Sequence, residues 1–355
     1  MTAESGARGG SRGGETPAGA SPARVTMEDV ARRAGVSRSL VSIAYRGVPG
    51  VSDETRDAIF EAARAIGYTP NSIASRLASR NRESVGFYLL DLRNSVYVDV
   101  FDGVREVTGE RGTTVVLGVG ETHGSEDRAG LTALMSSQAD VIIATGLLLP
   151  DAEILELSRQ RPLVSVTRQV PGVDSVSSDD EAGATLVTEH LLALGHRRIA
   201  HLAAPDIGGR SPRADAYART MRKAGLEPRM LTAGFTQSSA SAAARSLLSS
   251  PAPGERPTAI FATNDVTALG VIEAAHELGL RIPRDLSVAG YDDTAAAALA
   301  PISLTSVDQD ARSLGRLAAS AAFARLASPS APVVARVQQP TLRPRRSTAP
   351  PPSAA

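Results

Sequence analysis

The chain has 355 residues, enough for two or three domains, and 42% of them are hydrophobic, so a sizeable core can form. It contains no cysteine, which excludes disulfide scaffolds, thiolate metal sites and cysteine nucleophiles. Its formal net charge of +0 gives no indication about nucleic acid, and no apolar run approaches the roughly 18–20 residues that a membrane span requires.

The two ends of the chain have the composition of disordered tails. Residues 1–24 are rich in Gly, Ser, Ala and Pro and lack the apolar stretch of a secretory signal. Residues 343–355, with the sequence RPRRSTAPPPSAA, are similarly biased. We therefore expect the folded part of the chain to begin near residue 25 and to end near residue 342.

Three short helices are predicted within residues 25–71. Thr26 can cap the first helix, which carries acidic residues in its first turn, where the positive end of the helix dipole favours them. Ser37 can cap a second helix. Ser52 can cap a third, and Gly67 suits the C-terminal cap of that helix.

The segment 25–47 has the pattern of a helix-turn-helix, with a glycine that permits a tight turn between the first two helices. Arg38, Ser39 and Ser42 would point outward, where a recognition helix meets base edges in the major groove. From Arg24 to Arg82 ten arginines stand against six acidic residues, a positive balance that suits DNA. The alternative is a small helical hairpin with a solvated basic face.

After residue 82 short β-branched runs alternate with helix-like segments. The predicted strands cover residues 84–90, 113–118, 140–145, 162–167, 198–204, 258–263 and 286–292. Helical segments such as 181–195 and 265–279 lie between them, which predicts a mostly parallel sheet covered on both faces. Because seven such units are too many for one sheet, we expect two doubly wound α/β lobes within 83–342. A ligand would bind between them at the carboxyl ends of the strands.

With these elements in place, the chain resembles the lactose-repressor-like (LacI/GalR) family of transcriptional regulators. The matching stretches are MEDVARRAGVS, VSDETRDAIFEAARAIGYTPNSIASRLAS, EHLLALGHRRIAHLAAP, FATNDVTALG and SVAGYDD, and they extend from residue 26 to about residue 342. The resemblance implies an all-α helix-turn-helix domain joined to a sensor of two α/β lobes like the periplasmic sugar-binding proteins. It also implies a homodimer on pseudo-palindromic operator DNA.

The segment 70–79 resembles the family's hinge helix, within a linker expected at 72–82. The family's minor-groove face falls on Ala74, Leu77 and Ala78, and a leucine wedge at a base step would kink the duplex. A ten-residue helix is marginal alone, so it would form only against its dimer mate and DNA; an ordinary linker helix is the alternative. The predicted DNA-contacting residues are Thr26, Ser37, Arg38, Ser39, Ser42, Arg46, Asn71, Ala74, Leu77 and Ala78.

The second helix departs from the family pattern at three positions. Many members have Thr where this chain has Leu40, Arg where it has Ile43 and Asn where it has Arg46. An arginine at position 43 could form two hydrogen bonds with a guanine base, which Ile43 cannot. Arg38 is a candidate to make this contact instead. The family's usual operator is therefore not assumed for this chain.

In the sensor, the resemblance assigns effector contacts to Arg213 and Asp292. A guanidinium fork and a carboxylate suit vicinal hydroxyls, since each forms two oriented hydrogen bonds. The remaining predicted effector contacts are Asp91, Asn94 and Tyr97, just after the first sensor strand, together with Asn264. The effector would be a sugar or a nucleoside, although Tyr97 is the single aromatic residue of its turn.

Each sensor residue also has a simpler interpretation. Arg213 would otherwise be a solvated residue in the first turn of a helix, and Asn264 or Asp265 could serve as a helix cap. His196 and His201 are interpreted as surface or packing residues and not as ligands.

Two other functions compete with regulation: a transport-type binding protein and an α/β enzyme acting on a sugar. The N-terminal helices and the missing signal sequence oppose the first. For the second, GGSRG at 9–13 matches G-x-S-x-G by chance in a tail, and no phosphate-binding loop or zinc-protease motif is present. We expect a regulator, with no catalytic residues, no cofactor, no metal and no membrane contact, located in the cytoplasm with the nucleoid.

Overall fold

The structure, a computed structural model, describes residues 25–46, 49–68, 83–120, 127–137, 139–205, 211–249 and 255–352. The chain divides into two compact units, residues 1–82 and 83–355. Several predictions fall outside the described residues: the N-terminal tail, the hinge with Asn71, Ala74, Leu77 and Ala78, and the side chain of Arg46. None of the described helices is both long and apolar enough to cross a membrane.

The first unit contains the three predicted helices, α1 (Met27–Ala34), α2 (Arg38–Arg46) and α3 (Asp53–Ala65). Their caps confirm the sequence analysis. Thr26 forms a capping box with Asp29, the Ser37 hydroxyl accepts the Leu40 amide proton at 3.2 Å, and Ser52 accepts that of Thr55 at 3.3 Å. Gly35 and Gly67, with φ of 67° and 66°, supply the left-handed conformation after α1 and α3.

An apolar core joins these three helices. It consists of Val30, Ala31, Val41, Ala44, Ile59 and Ala63. Val36 and Ile66 pack against it from the turn and from the end of α3, as the apolar pattern predicts. The remaining face of α2 is therefore available to contact another molecule.

The second unit begins with a lobe, here called the N-lobe, on a six-stranded sheet. Its strands are β1 (Ser84–Leu89), β2 (Thr114–Val119), β3 (Val141–Thr145), β4 (Leu163–Val166), β5 (Asp174–Ser178) and β11 (Ala335–Gln338). They lie in the order β11-β5-β4-β3-β1-β2 and are all parallel. The helices that cover its two faces are α4 (Val96–Glu110), α5 (Asp127–Ser136), α6 (Asp151–Gln160) and α12 (Ala311–Ala327).

The second lobe, the C-lobe, repeats this arrangement. Its strands are β6 (Ile199–Ala203), β7 (Arg229–Thr232), β8 (Ala259–Ala262), β9 (Ser287–Tyr291), β10 (Thr305–Asp308) and β12 (Thr341–Arg343). Their order is β12-β10-β9-β8-β6-β7, and only β12 runs antiparallel to its neighbour. Its helices are α7 (Asp180–Ala193), α8 (Pro212–Lys223), α9 (Gln237–Leu248), α10 (Asp265–Glu277) and α11 (Ala295–Ala298).

The chain passes between the two lobes three times: from β5 to α7, from β10 to α12, and from β11 to β12. α12 follows a C-lobe strand but packs in the N-lobe core against α4. Gly103 and Gly315 make this contact possible, because a Cβ at either would lie 2.0 Å from a carbonyl oxygen of the other helix. Two doubly wound lobes joined by three crossings confirm the predicted architecture.

The prediction of a disordered tail at 343–355 is wrong for the residues up to 352, which pack along the C-lobe. Ser347 is 1% exposed, donates to the Val288 carbonyl at 2.6 Å and accepts the Thr305 amide proton at 2.8 Å. Ala349 accepts from the ring of His196 at 2.9 Å. Composition suggested disorder because the segment has few apolar side chains, but polar and backbone hydrogen bonds to the C-lobe hold it.

Candidate ligand cleft and DNA-binding surface

A cleft of about 450 Å³ lies between the lobes, lined by residues that follow the strands of both sheets. Strands that occupy the same place in the two sheets contribute lining residues at corresponding positions. Thr167 follows β4 in the N-lobe and Asp292 follows β9 in the C-lobe, and both have positive φ, 70° and 109°. Gly146 follows β3 and Thr263 follows β8. The carboxyl ends of two doubly wound sheets thus face one another, where such folds bind ligands.

Arg213 stands in the first turn of α8 and points into the cleft wall. Its Nε donates to Asp180 Oδ1 at 2.9 Å, its Nη1 donates to the Thr263 carbonyl at 2.6 Å, and its guanidinium lies 3.5 Å from the centre of the Tyr291 ring. Burial alone would lower the pKa of Arg213, but Asp180, Tyr291 and Asp292 together raise it. The side chain is 20% exposed, so the interpretation as a solvated first-turn arginine is wrong.

Asp292 joins the two lobes. Its Oδ1 accepts a hydrogen bond from Gln309 Nε2 at 2.7 Å, and its Oδ2 accepts one from Asn94 Nδ2, in the opposite lobe, at 3.4 Å. Burial raises the pKa of Asp292 to about 8, an effect that Arg213 opposes and Asp265 reinforces. The Asp292 carboxyl group is therefore protonated more readily than an exposed aspartate.

Asp265 and Asn264 have structural roles at the start of α10. Asn264 forms a capping box with Thr267, accepting its amide proton at 2.9 Å, and also lines the cleft. Asp265 is 1% exposed and accepts hydrogen bonds from the Thr294 amide at 2.7 Å and from the Ser306 hydroxyl at 2.6 Å. The helix-cap interpretation holds for Asn264, and Asp265 braces the loop that carries Asp292.

The turn after β1 brings two of its three predicted residues to the cleft. Asn94 and Tyr97 line it, and the Asn94 Oδ1 accepts the Val96 amide proton at 3.2 Å, which orients the Asn94 amide towards Asp292. Asp91 does not line the cleft. Its carboxylate instead accepts the amide proton of Arg93 at 2.9 Å and stabilises the turn.

Several cleft residues were missed by the sequence analysis: Arg168, Gln169, Ser178, Asp180, Phe235 and Gln309. Three of them follow β5, β7 or β10, strands that the hydrophobic pattern did not predict. The signal that would have found them is the strand order, since every parallel strand except β2 contributes a lining residue at or near its carboxyl end. Phe235 adds a second aromatic side chain to the lining besides Tyr97.

His196 and His201 of the C-lobe are buried packing residues, and neither is at the surface. His196 is 0% exposed and contacts Thr258 and Ser287 as well as the C-terminal segment. His201 stacks on Phe261 with ring centres 4.5 Å apart. Burial lowers the pKa of His201 to about 4, so it is neutral in the folded protein near pH 7.

In the first unit, the structure sorts the predicted DNA contacts into two kinds. Arg38 and Ser39 are exposed at the start of α2, and Ser42 is half-buried. Thr26 and Ser37 have side chains that cap helices, with the Thr26 hydroxyl 2.7 Å from Asp29 Oδ2.

A helix-turn-helix unit followed by a two-lobed α/β binding unit defines a DNA-binding regulator that carries a sensor. Residues 26–71 match the family described as bacterial regulatory proteins, lacI family, and residues 188–348 match the periplasmic binding protein-like domain. The chain is similar to the ribose operon repressor of Halalkalibacterium halodurans, with 33% identity over 296 residues, 82% of this chain and 87% of that protein.

Two solved structures extend the likeness over nearly the whole chain. The lac repressor dimer bound to operator and the anti-inducer ONPF is 28% identical, with a TM-score of 0.75, covering 92% of this chain and 99% of that one. A complex of the transcriptional regulator CelR with cellobiose is 29% identical, with a TM-score of 0.64, covering 91% and 100%. The chain belongs to the lacI family of bacterial regulatory proteins: it is a DNA-binding transcriptional regulator and not an enzyme.

Proposed function

We propose that this protein is a repressor whose affinity for operator DNA changes when a small hydroxylated molecule, a sugar or a nucleoside, binds between the sensor lobes. The observation that carries the proposal is the cross-lobe contact of Asn94 with Asp292 in the cleft, at 3.4 Å. A ligand that replaces or bridges this contact touches both lobes at once. Its binding therefore favours one arrangement of the lobes over another.

The cleft chemistry suits hydroxyl groups. Asp292 supplies acceptor oxygens, while Asn94, Gln169 and Gln309 supply amides that both donate and accept. Tyr97 and Phe235 add apolar faces of the kind that pack against a sugar or a base. Relatives named for ribose and cellobiose support the same ligand class.

We propose that the functional unit is a homodimer. In each sheet the edge strand far from the crossings carries exposed apolar side chains: Leu117 and Val119 on β2, Met230 and Leu231 on β7. The similar lac repressor is a dimer on its operator. A dimer presents two helix-turn-helix units to a pseudo-palindromic site, and linking two weak modules raises affinity steeply. The protein would act in the cytoplasm, at the nucleoid.

On DNA, we propose that α2 enters the major groove with Arg38, Ser39 and Ser42 towards the bases. Thr26, Ser37, Arg46 and Asn71 would contact the backbone or adjacent bases. The predicted hinge residues Ala74, Leu77 and Ala78 would enter the minor groove. Support for this assignment is the exposure of Arg38 and Ser39 and the match of residues 26–71 to the family.

The proposal is tested by effector titration of a protein–operator complex, with the operator selected from random DNA and the effector from a panel of sugars and nucleosides. Arg213→Ala and Asp292→Ala should bind operator normally but respond only at about ten- to 150-fold higher ligand, because each loses a charged hydrogen-bonding partner. Arg245→Ala is the matched control, since Arg245 pairs with Glu277 outside the cleft. If both cleft variants respond at the normal ligand concentration, the site is elsewhere.

A further inference from the structure

The charged side chains that line the cleft are mostly acidic. Among the described lining residues, the carboxylates are Asp179, Asp180, Glu181 and Asp292, and the guanidiniums are Arg168 and Arg213. The lining residues therefore include two more carboxylates than guanidiniums. The neighbouring segment 206–210 contains one aspartate and one arginine, so its composition does not change this balance.

Both guanidiniums are already engaged by carboxylates. Arg168 pairs with Asp151 at 2.5 Å and donates to two backbone carbonyls. Arg213 pairs with Asp180 at 2.9 Å and donates to the Thr263 carbonyl at 2.6 Å. An anionic ligand would have to displace a partly buried ion pair to reach either cation, and breaking such a pair is costly.

The helix N-termini at the cleft are partly occupied by the protein's own groups. At the start of α7, Asp179 Oδ1 accepts the Ala182 amide proton at 2.9 Å, and at the start of α10 Asn264 accepts that of Thr267. Helix α8 begins with Pro212, which has no N–H. One first-turn amide of α7 and one of α10 are therefore satisfied by the protein itself, and the Asp179 carboxylate occupies the N-terminus of α7, where an anion would otherwise bind.

Among the remaining carboxylates, Glu181 pairs with Arg219 at 2.7 Å, whereas Asp179 and Asp292 have no ion pair among the described residues. Asp292 and Asp179 accept hydrogen bonds from glutamine amides, those of Gln309 at 2.7 Å and Gln339 at 3.3 Å. Such oxygens can accept further hydrogen bonds from ligand hydroxyls. We propose that the cleft selects an uncharged, hydroxyl-rich ligand and rejects the phosphorylated form of the same molecule.

The protonation of Asp292 does not reverse this selection. Burial raises the pKa of Asp292, which favours the neutral form of its carboxyl group. The other three carboxylates still outnumber the two guanidiniums. The inference rests on the proposed function, since it concerns the ligand of the same cleft.

Matched pairs of ligands offered to the full-length protein test the inference: D-ribose and ribose 5-phosphate, D-glucose and glucose 6-phosphate, adenosine and adenosine 5′-monophosphate. Calorimetry gives the affinity for each. Where the uncharged member binds, its phosphorylated partner should bind at least about tenfold more weakly, since like charges at an interface disfavour binding. Equal or tighter binding of the phosphorylated member overturns the inference and leaves the proposed function standing. Binding of no uncharged member overturns both.

A substitution tests the electrostatic cause. Asp180→Asn removes the carboxylate that engages Arg213. The affinity gap, meaning the ratio of the dissociation constants of the phosphorylated and the uncharged ligand of one pair, should therefore narrow by about tenfold. Glu227→Gln makes the same charge change at an exposed residue outside the cleft lining and should leave the gap unchanged. If Asp180→Asn does not fold, Asp179→Asn lowers the cleft charge while its amide oxygen can still cap α7. An unchanged gap in a folded variant contradicts the electrostatic cause.

Discussion

The hydroxyl of Tyr291, at the end of β9, lies directly against Gly183 in α7: a Cβ on Gly183 would be 2.4 Å from that oxygen. The Arg213 guanidinium lies 3.5 Å from the centre of the same ring. The Tyr291 ring thus contacts both helix α7 and the arginine, and the absence of a side chain at Gly183 permits its close approach to the helix.

Gly183→Ala should therefore displace the Tyr291 ring and with it Arg213. We expect a loss of about 1–3 kcal/mol in the free energy of unfolding from overpacking, together with a weakened ligand response and normal operator binding. Thermal denaturation and effector titration measure the two effects.

Gly109→Ala is the control, because Gly109 is helical and a Cβ there meets nothing within 4 Å. That variant should be neutral or more stable by about 0.5–1 kcal/mol, since alanine is the better helix former. Equal behaviour of the two variants would mean that the close contact of Gly183 with Tyr291 does not matter.

The C-terminal segment should contribute measurably to stability. Ser347→Ala leaves the buried Thr305 amide without its acceptor, which should cost about 1–3 kcal/mol in denaturant unfolding. Ser320→Ala, at an exposed position in α12, should change stability by less than about 0.5 kcal/mol. A Ser347→Ala variant as stable as the parent protein would show that the segment is dispensable.

The pH dependence of stability should carry a contribution from Asp292. Its pKa is raised from the ordinary aspartate value to about 8 in the folded protein by burial, so between roughly pH 4 and 8 the folded state binds more protons than the unfolded state. This contribution is full at low pH and is lost as the pH rises through about 8. Relative to the parent, Asp292→Asn should therefore gain stability from pH 5 to pH 8, measured by urea unfolding at each pH.

The prediction for Asp292→Asn concerns how its stability relative to the parent changes with pH. The size of the difference at one pH is not diagnostic, because the substitution also changes hydrogen bonds. Glu227→Gln, at an exposed residue, should follow the parent at every pH. A stability difference between Asp292→Asn and the parent that stays constant over the range would show that the Asp292 carboxyl is ionised throughout.

Arg38 should read a base, most directly a guanine, because it is exposed at the first position of α2. Arg38→Ala should cost about 1–3 kcal/mol at a single base pair and relax the preference there. Selection from a random DNA library with both proteins measures this. If both return the same motif, Arg38 contacts phosphate and not a base.

The local features of this protein are determined by its sequence. The three N-terminal helices begin at Thr26, Ser37 and Ser52, as predicted, because a helix cap depends on residues within one turn of it. Six of the seven predicted strands are apolar runs buried on both faces, and the seventh, β2, is an apolar run at a sheet edge that is partly exposed. Motifs matched residue by residue also located Arg213, Asp292, Asn94 and Tyr97 at the cleft.

Only the tertiary structure decided the remaining features. Strand β7 is exposed along its length, and β12 and the segment after it are polar, so no hydrophobic pattern marks them. These strands are held in position by backbone hydrogen bonds to their neighbours at the two edges of the C-lobe sheet. The pairings of Arg213 with Asp180 and of Arg168 with Asp151 join residues 33 and 17 positions apart. The net charge that the cleft presents to a ligand follows from these pairings, because it depends on which side chains the two lobes bring face to face.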